Sequence, residues 1–239
     1  MCYHLINKNF GDDMELKVIA KIKNDFPTKF GIPRQSGLSS LSSEIVFEKE
    51  FSIDEAFRGI EDYSHLILIW GFSEAEREGW SPTVRPPRLG GNKRVGVFAT
   101  RSPYRPNSIG LTVVKLVSVA KRDGRIVLTV LGADMMSGTP IYDIKPYLSF
   151  ADSVSDAISG FADDVKDKSL TVVFNEDYSA VLDESRLQSL NEILAQDPRP
   201  SYQNDTERIY GFEYADCEVK FTVNDKTLYV ISITKKSEA

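Results

Sequence analysis

The residues best equipped for chemistry lie in one segment, Gly96-Val-Phe-Ala-Thr-Arg-Ser-Pro-Tyr-Arg-Pro-Asn-Ser-Ile-Gly110. It sets Arg101 and Arg105 around Pro103 and Pro106, with a glycine at each end. Proline fixes the backbone and guanidinium offers a planar fork of donors, so the combination suits recognition of a carboxylate or another anion. Upstream, Thr83-Val-Arg-Pro-Pro-Arg-Leu-Gly-Gly91 has the same character through Arg85 and Arg88. Downstream, Gly138-Thr-Pro-Ile-Tyr-Asp-Ile-Lys-Pro-Tyr147 brings Asp143, Lys145 and Tyr147 close together. Asp143 is the better general-base candidate of the three, and an Asp143–Lys145 structural pair is the competing reading.

The charge around these residues is uneven. Across 239 residues, 29 basic and 35 acidic side chains leave a net charge of −6. Yet no acid occurs between Glu78 and Asp123, a stretch holding Arg85, Arg88, Lys93, Arg94, Arg101, Arg105, Lys115, Lys121 and Arg122. Residues 151–207 are acidic instead. A basic patch on an acidic body suits a polyanionic partner such as nucleic acid, although a solvated positive face has the same composition.

Several familiar chemistries are excluded. Gly91-Asn-Lys-Arg-Val-Gly96 has P-loop glycine spacing, but Val97 stands where lysine is required. No G-x-G-x-x-G follows a strand, and no G-x-S-x-G occurs. Two histidines, His4 and His65, cannot build a three-histidine zinc site, so no metal is expected. Cys2 and Cys217 make no disulfide framework and are expected to be reduced, in a cytoplasmic protein. The longest apolar run, His65 to Phe72, falls far short of the roughly 20 residues of a membrane span. The N-terminus shows no signal-peptide pattern. With 41% hydrophobic and 27% charged residues, the chain reads as an ordinary globular protein.

The elements that must position these groups are mostly short strands. Alternation predicts one over Leu16–Lys23, and Glu44–Phe47 predicts another. Ser52 and Glu55 have capping-box spacing, predicting a short helix that ends near Gly59 or Glu61. His65–Phe72 reads as a buried strand, and Val95–Phe98 as a short one inside a Pro- and Gly-rich, non-helical stretch. Leu111–Ala120 and Arg125–Leu131 form a hairpin about Asp123-Gly124. Ile141–Tyr147 reads as a strand end or loop. No helix offers a βαβ crossover here, so residues 15–150 are expected to form an antiparallel, non-Rossmann β-barrel. Composition shifts near residue 150, and residues 160–239 are expected to form a small α+β domain. That domain holds a strand at Leu170–Phe174, a helix at Glu184–Ala195 and strands at Arg208–Tyr214, Glu218–Val223 and Thr227–Thr234. The fold class is therefore mainly β.

The chain resembles the TsaA-like family, also called TrmO or VirR-like. The resemblance runs through Ile32-Pro-Arg-Gln-Ser-Gly-Leu38, Gly59-Ile-Glu-Asp-Tyr-Ser-His-Leu66, Pro82 to Gly110, Gly138 to Tyr147 and Ala195-Gln-Asp-Pro-Arg-Pro-Ser-Tyr202. It implies an unusual barrel methyltransferase that uses S-adenosylmethionine. The acceptor it implies is N6 of threonylcarbamoyladenosine at position 37, in the anticodon loop of threonine tRNA. It also implies a homodimer with the cofactor near the subunit interface. Two departures stand out. The residues before Met14 have no counterpart, and Ser137 stands where an acid is expected before the glycine.

The resemblance further implies cofactor contacts from Pro33, Arg34, Gln35, Ser64, His65, Arg101, Leu111, Asp134 and Met135. Arg101 would orient the methionine carboxylate or a ribose. Asp143, Lys145 and Tyr147 fall on the acceptor side. Arg85, Arg88, Lys93 and Arg94 would hold phosphates, Arg105 and Asn107 would either support the loop or meet the tRNA, and Arg199 would be a further RNA contact. Asp197, Arg199 and Tyr202 would close the site from the small domain. Two rivals remain at this level: a methyltransferase for another nucleoside or a small molecule, and a nonenzymatic RNA-binding barrel.

Overall fold

Alternation builds the first core. The computed structural model describes residues 15–73, 80–86, 89, 93–165, 169–199 and 205–236, and residues 1–14 lie outside them. Eight strands come first: β1 (Ala20–Lys23), β2 (Ser42–Phe47), β3 (His65–Gly71), β4 (Thr83–Val84), β5 (Val95–Gly96), β6 (Ile109–Arg122), β7 (Arg125–Leu131) and β8 (Pro140–Pro146). In β2 and β3 every second residue is buried, the period-2 signature of a strand with one face on a core. Six strands pair in the order β1-β2-β7-β6-β3-β8, and β8 meets β1 to close an antiparallel barrel. Ile22, Ile45, Leu66, Leu68, Leu128 and Ile141 fill it.

Two local features set the register. Asp123 and Gly124 both hold positive φ, 50° and 73°, as a two-residue hairpin turn requires, and Arg122 pairs with Arg125 across it. At Gly110 an added Cβ would stand 2.3 Å from the Trp70 ring, so glycine lets the indole lie over β6.

Around the barrel the sequence-based expectations are partly corrected. β1 starts at Ala20, not Leu16. Val95–Gly96 is a strand, but Val97–Ala99 forms a 3-10 turn. Ser52 and Glu55 do not cap a helix. Three 3-10 turns, Lys49–Phe51, Asp54–Phe57 and Ile60–Asp62, replace it. The Ser52 hydroxyl instead donates to Glu48 O and accepts from Ile126 N–H, tying the turns to β7. Gly59, at φ 84°, interrupts the run before an α-helix can propagate.

Past a single turn, α1 (Ser149–Asp152), lies a second core. It comprises β9 (Thr171–Phe174), α2 (Glu184–Ala195), β10 (Tyr210–Tyr214), β11 (Cys217–Asn224) and β12 (Thr227–Lys235). The sheet order is β10-β11-β12-β9, with β9 parallel to β12. α2 matches its predicted limits: the Asp183 carboxylate accepts from Arg186 N–H at the N-cap, and Leu190, Ile193 and Leu194 are buried. Cys217 is buried too, and burial, with the Asp216 carboxylate beside it, pushes its thiol up to about 11.

The two cores share one segment. Phe26 and Leu41, which flank the Pro33-Arg34-Gln35 loop, are buried in the second core, not in the barrel. Phe30 meets Phe212 edge-on at 6.0 Å, and Gly31 (φ 92°) has no room for a Cβ against that ring. Asp25 pairs with Arg186 at 2.8 Å. The loop is thus clamped between the domains.

Replacing Phe26 with alanine should loosen that clamp at a cost of about 3–5 kcal/mol. Trp70 and Trp80 are the chain's only tryptophans, and neither belongs to the second core, Trp70 lying in the barrel core. In urea, circular dichroism should therefore report unfolding earlier than tryptophan fluorescence does in Phe26→Ala. Superimposed transitions with an unchanged midpoint would contradict the shared-core reading.

Candidate functional site

Inward alternation on β6 places Gly110, Thr112 and Val114 toward the barrel interior and Ile109, Leu111 and Val113 outward. Thr112 is buried, and its hydroxyl is the middle of a chain of hydrogen bonds. Trp70 Nε1–H donates to Thr112 Oγ1 at 2.9 Å, and Thr112 O–H donates to Asp134 Oδ1 at 2.6 Å. The indole N–H only donates, so Thr112 meets it with a lone pair and gives its single proton to the carboxylate.

Asp134 follows β7 on a loop that docks against residues 36–41. Gly37 N–H donates to Gly132 O at 3.0 Å, and Gly132 N–H to Leu41 O at 3.2 Å. Burial raises the Asp134 pKa above its ordinary 3.8, outweighing the opposing effects of the Thr112 hydroxyl, the Arg101 charge and the Ser36 backbone. Arg101 Nη1 donates to Gln35 Oε1 at 2.6 Å from the third loop. Gln35, Ser36, Arg101 and Asp134 therefore converge from three separate loops. A half-buried carboxylate near an exposed guanidinium offers an acceptor for an ammonium or hydroxyl and a donor for a carboxylate, which fits an amino-acid group or a ribose.

Other predicted residues are placed differently. Pro33 is buried. Arg34 turns to the small domain, where Nη2 donates to Asp197 O at 2.7 Å and Arg199 O at 3.1 Å. Met135 is 2% exposed and packs in the barrel core, so its side chain forms no wall at the loop surface. Leu111 is 62% exposed on the barrel's outer face, across the strand from Thr112. Ser64 Oγ and His65 Nδ1 lie 2.9 Å apart. His65 sits five residues along β3 from Trp70, about 17 Å at strand rise, with Ser64 just before the strand.

The acceptor-side residues share that outer face. Ile69 pairs with both Leu111 and Asp143, Ile67 with Val113 and Lys145, and His65 with Lys115. Lys145 Nζ binds Asp143 Oδ2 at 2.7 Å, so the structural pair exists. The Tyr147 ring stands edge-on to His65 at 6.3 Å. Within one chain, then, the Arg101–Asp134 group and the His65–Tyr147 group are separate.

Of the basic residues, Arg85, Lys93 and Arg94 are exposed, with Arg94 Nη1 donating to Thr83 Oγ1 at 3.0 Å. Asn107 is exposed as well, while Arg88 and Tyr202 lie outside the described residues. Arg105 braces its own loop by donating to Thr100 O at 3.0 Å and Ser102 O at 3.3 Å. Asp197 engages the Arg199 guanidinium at 2.8 Å, and the Arg199 side chain is 12% exposed. Lys121 and Arg122 pair with Asp54 and Glu44, which neutralises the far end of the acid-free stretch. Sequence reasoning missed Thr112 and Trp70. The available signal was a polar residue at an inward strand position.

Comparison with known proteins adds the following. The model described as "tRNA-methyltransferase O N-terminal domain" matches residues 21–153, and that of the "TrmO C-terminal domain" matches 167–236. The chain is 38% identical to the tRNA (adenine(37)-N6)-methyltransferase of Escherichia coli K12, covering 92% of this chain and 97% of that one. It is 39% identical to a putative S-adenosylmethionine-dependent methyltransferase, RcsF, of Pseudomonas aeruginosa, over 84% and 89% of the two chains. A crystal structure of TrmO from Pseudomonas aeruginosa superposes with a TM-score of 0.75 at 31% identity, covering 94% of this chain and 98% of that one. Among the described residues no helix is long and apolar enough to cross a membrane, and no cluster of metal-ligating side chains occurs.

The raised Asp134 pKa has a signed consequence. Below 3.8 both folded and unfolded chains carry the proton, while between 3.8 and the raised value only the folded chain does. Stability from this group therefore rises as pH falls through that window. Urea titrations of wild type and Asp134→Asn should show their stability difference moving in favour of wild type from neutral pH down to the ordinary carboxyl range. A difference that stays flat with pH would contradict the burial argument.

Proposed function

The chain belongs to the TrmO family, and from that premise we propose that it methylates N6 of threonylcarbamoyladenosine at position 37 of threonine tRNA, using S-adenosylmethionine. The coarser activity, S-adenosylmethionine-dependent methylation of tRNA adenine 37 at N6, is that of the family's curated members by their names. The observation that carries the cofactor reading is the convergence of Asp134, held by Thr112, with Arg101, held by Gln35, close enough for the guanidinium charge to act on the carboxylate. Its donor set fits the cofactor: the carboxylate accepts from the methionine ammonium or a ribose hydroxyl, and the guanidinium takes the methionine carboxylate.

When bound, S-adenosylmethionine supplies a methyl on a sulfonium, a leaving group that needs no acid. The protein's own work is then to align the acceptor and remove its proton. N6 lies between a purine and a carbonyl, which withdraw its lone pair, so a base must take the proton as the methyl arrives. Asp143 is that base in this reading, and Lys145, at 2.7 Å, orients its carboxylate. Arg85, Lys93 and Arg94 hold phosphates of the anticodon stem-loop.

The functional unit is a homodimer. Ile109, Leu111, Val113, Ile67 and Ile69 form an apolar band on the outer face of β6 and β3, and Ile109 and Leu111 are exposed. In this reading a second copy covers that band, and the His65–Tyr147 group of one chain works with the Arg101–Asp134 group of its partner. The reading puts the enzyme in the cytoplasm, with its tRNA.

The test is methylation of threonine tRNA with and without the threonylcarbamoyl group, followed by nucleoside mass spectrometry. A methyl mass shift confined to the threonylcarbamoylated nucleoside supports the reading. No shift on either tRNA, despite cofactor binding, would overturn the acceptor assignment. Arg101→Ala should weaken S-adenosylmethionine binding by roughly ten- to a hundredfold in calorimetry, the loss of one charge-assisted contact. Ile69→Asp should give a monomer in sedimentation and lose methyl transfer. An active monomer would contradict the dimer.

A further inference from the structure

Two large aromatic side chains stand in water beside the basic loops. Phe98 is 70% exposed and Trp80 is 51% exposed. Large aromatic rings normally repay burial, so two exposed neighbours in one place call for an explanation. Their centroids lie 6.0 Å apart, with 32° between the planes. Their placement is built, not accidental. The β4–β5 ladder pairs Thr83 with Gly96, and Val97 N–H donates to Pro82 O at 3.0 Å. These bonds set the two aromatic residues side by side just beyond the ladder. Val97, next to Phe98, is 1% exposed and anchors the turn. The Arg105 guanidinium carbon lies 5.9 Å from the Phe98 centroid, and its Nη1 donors to Thr100 O and Ser102 O fix it there.

The surroundings define the ligand. The same loops present Arg85, Lys93 and Arg94, all exposed, and no acid occurs from residue 79 to residue 122. Flat, sequence-tolerant rings among guanidinium and ammonium groups match a single-stranded nucleic acid, whose bases stack while its phosphates find the cations. Phe98 lies three residues before Arg101, at most about 11 Å of chain. A base stacked there is a near neighbour of whatever reaches the Arg101–Asp134 group.

We propose that Trp80 and Phe98 form a stacking platform for an unpaired base of the RNA substrate, one flanking the acceptor nucleoside in its loop. This rests on the reading above that the acceptor is a tRNA anticodon loop. The platform holds the loop open and in register by a contact that reads no sequence, leaving discrimination to the acceptor nucleoside itself.

The test compares wild type, Phe98→Ala and Phe98→Tyr for three quantities. These are affinity for a labelled threonine-tRNA anticodon stem-loop by fluorescence anisotropy, affinity for S-adenosylmethionine by calorimetry, and mass in solution by sedimentation. Phe98→Ala should weaken stem-loop binding by about tenfold, with cofactor affinity and mass unchanged, and Phe98→Tyr should retain it. Unchanged stem-loop affinity in Phe98→Ala would overturn the platform while leaving the RNA reading intact. A change of mass would overturn it by making the pair a subunit contact, and a loss of cofactor affinity by making it part of the cofactor site. Wild type that binds the cofactor but not the stem-loop would overturn the RNA reading and the platform together.

Discussion

One hydroxyl joins the barrel core to the candidate site. Thr112 accepts from Trp70 and donates to Asp134, so the buried carboxylate is held by a donor that cannot turn elsewhere. The rest of the arrangement follows from what this requires. β6 must carry threonine inward, which turns Leu111 outward. Gly110 must leave room for the indole. The loop after β7 must descend far enough to bury Asp134, and burial is what raises its pKa. Keeping such a carboxylate charged while desolvated costs free energy that a proton or a bound cationic or hydroxyl ligand returns, a pattern common at functional sites.

The second domain serves the same site from behind. Phe26 and Leu41 belong to its core although they flank a loop of the barrel. Arg34, which the family resemblance points toward the cofactor, instead ties that loop to the carbonyls of Asp197 and Arg199. The loop that presents Gln35 and Ser36 is therefore positioned by two domains at once. That geometry gives the Asp197–Arg199 pair a bracing role: Asp197 engages the guanidinium of Arg199 while both backbones receive Arg34.

Much of this was legible in the residues, for identifiable reasons. The β6–β7 hairpin was written in its Asp123-Gly124 turn, α2 in its leucine spacing and Asp183 cap, and the barrel in alternating strands without crossover helices. The Arg101 loop was legible because prolines around arginines have a restricted structural use. Other features were not. The Ser52–Glu55 spacing is local, and Gly59 together with the docking of Ser52 on β7 overrode it. The environment of Met135 depends on barrel partners far away in sequence, such as Ile22, Ile45 and Leu66. The separation of His65 from Asp134 is a matter of strand register and face, which spacing alone does not encode. Trp80 and Phe98 escaped notice because an exposed aromatic looks like a core residue until its surroundings are known.

The central claim is that the Asp134–Arg101 pair holds the methyl donor. Crystals of the protein grown with S-adenosylhomocysteine, the product form of that donor, test it most directly. The account predicts the ligand between the three loops, with its ammonium or ribose hydroxyls on the Asp134 carboxylate and a guanidinium contact from Arg101. Density for the ligand elsewhere on the barrel, with Asp134 still bonded only to Thr112 and its own loops, would contradict it.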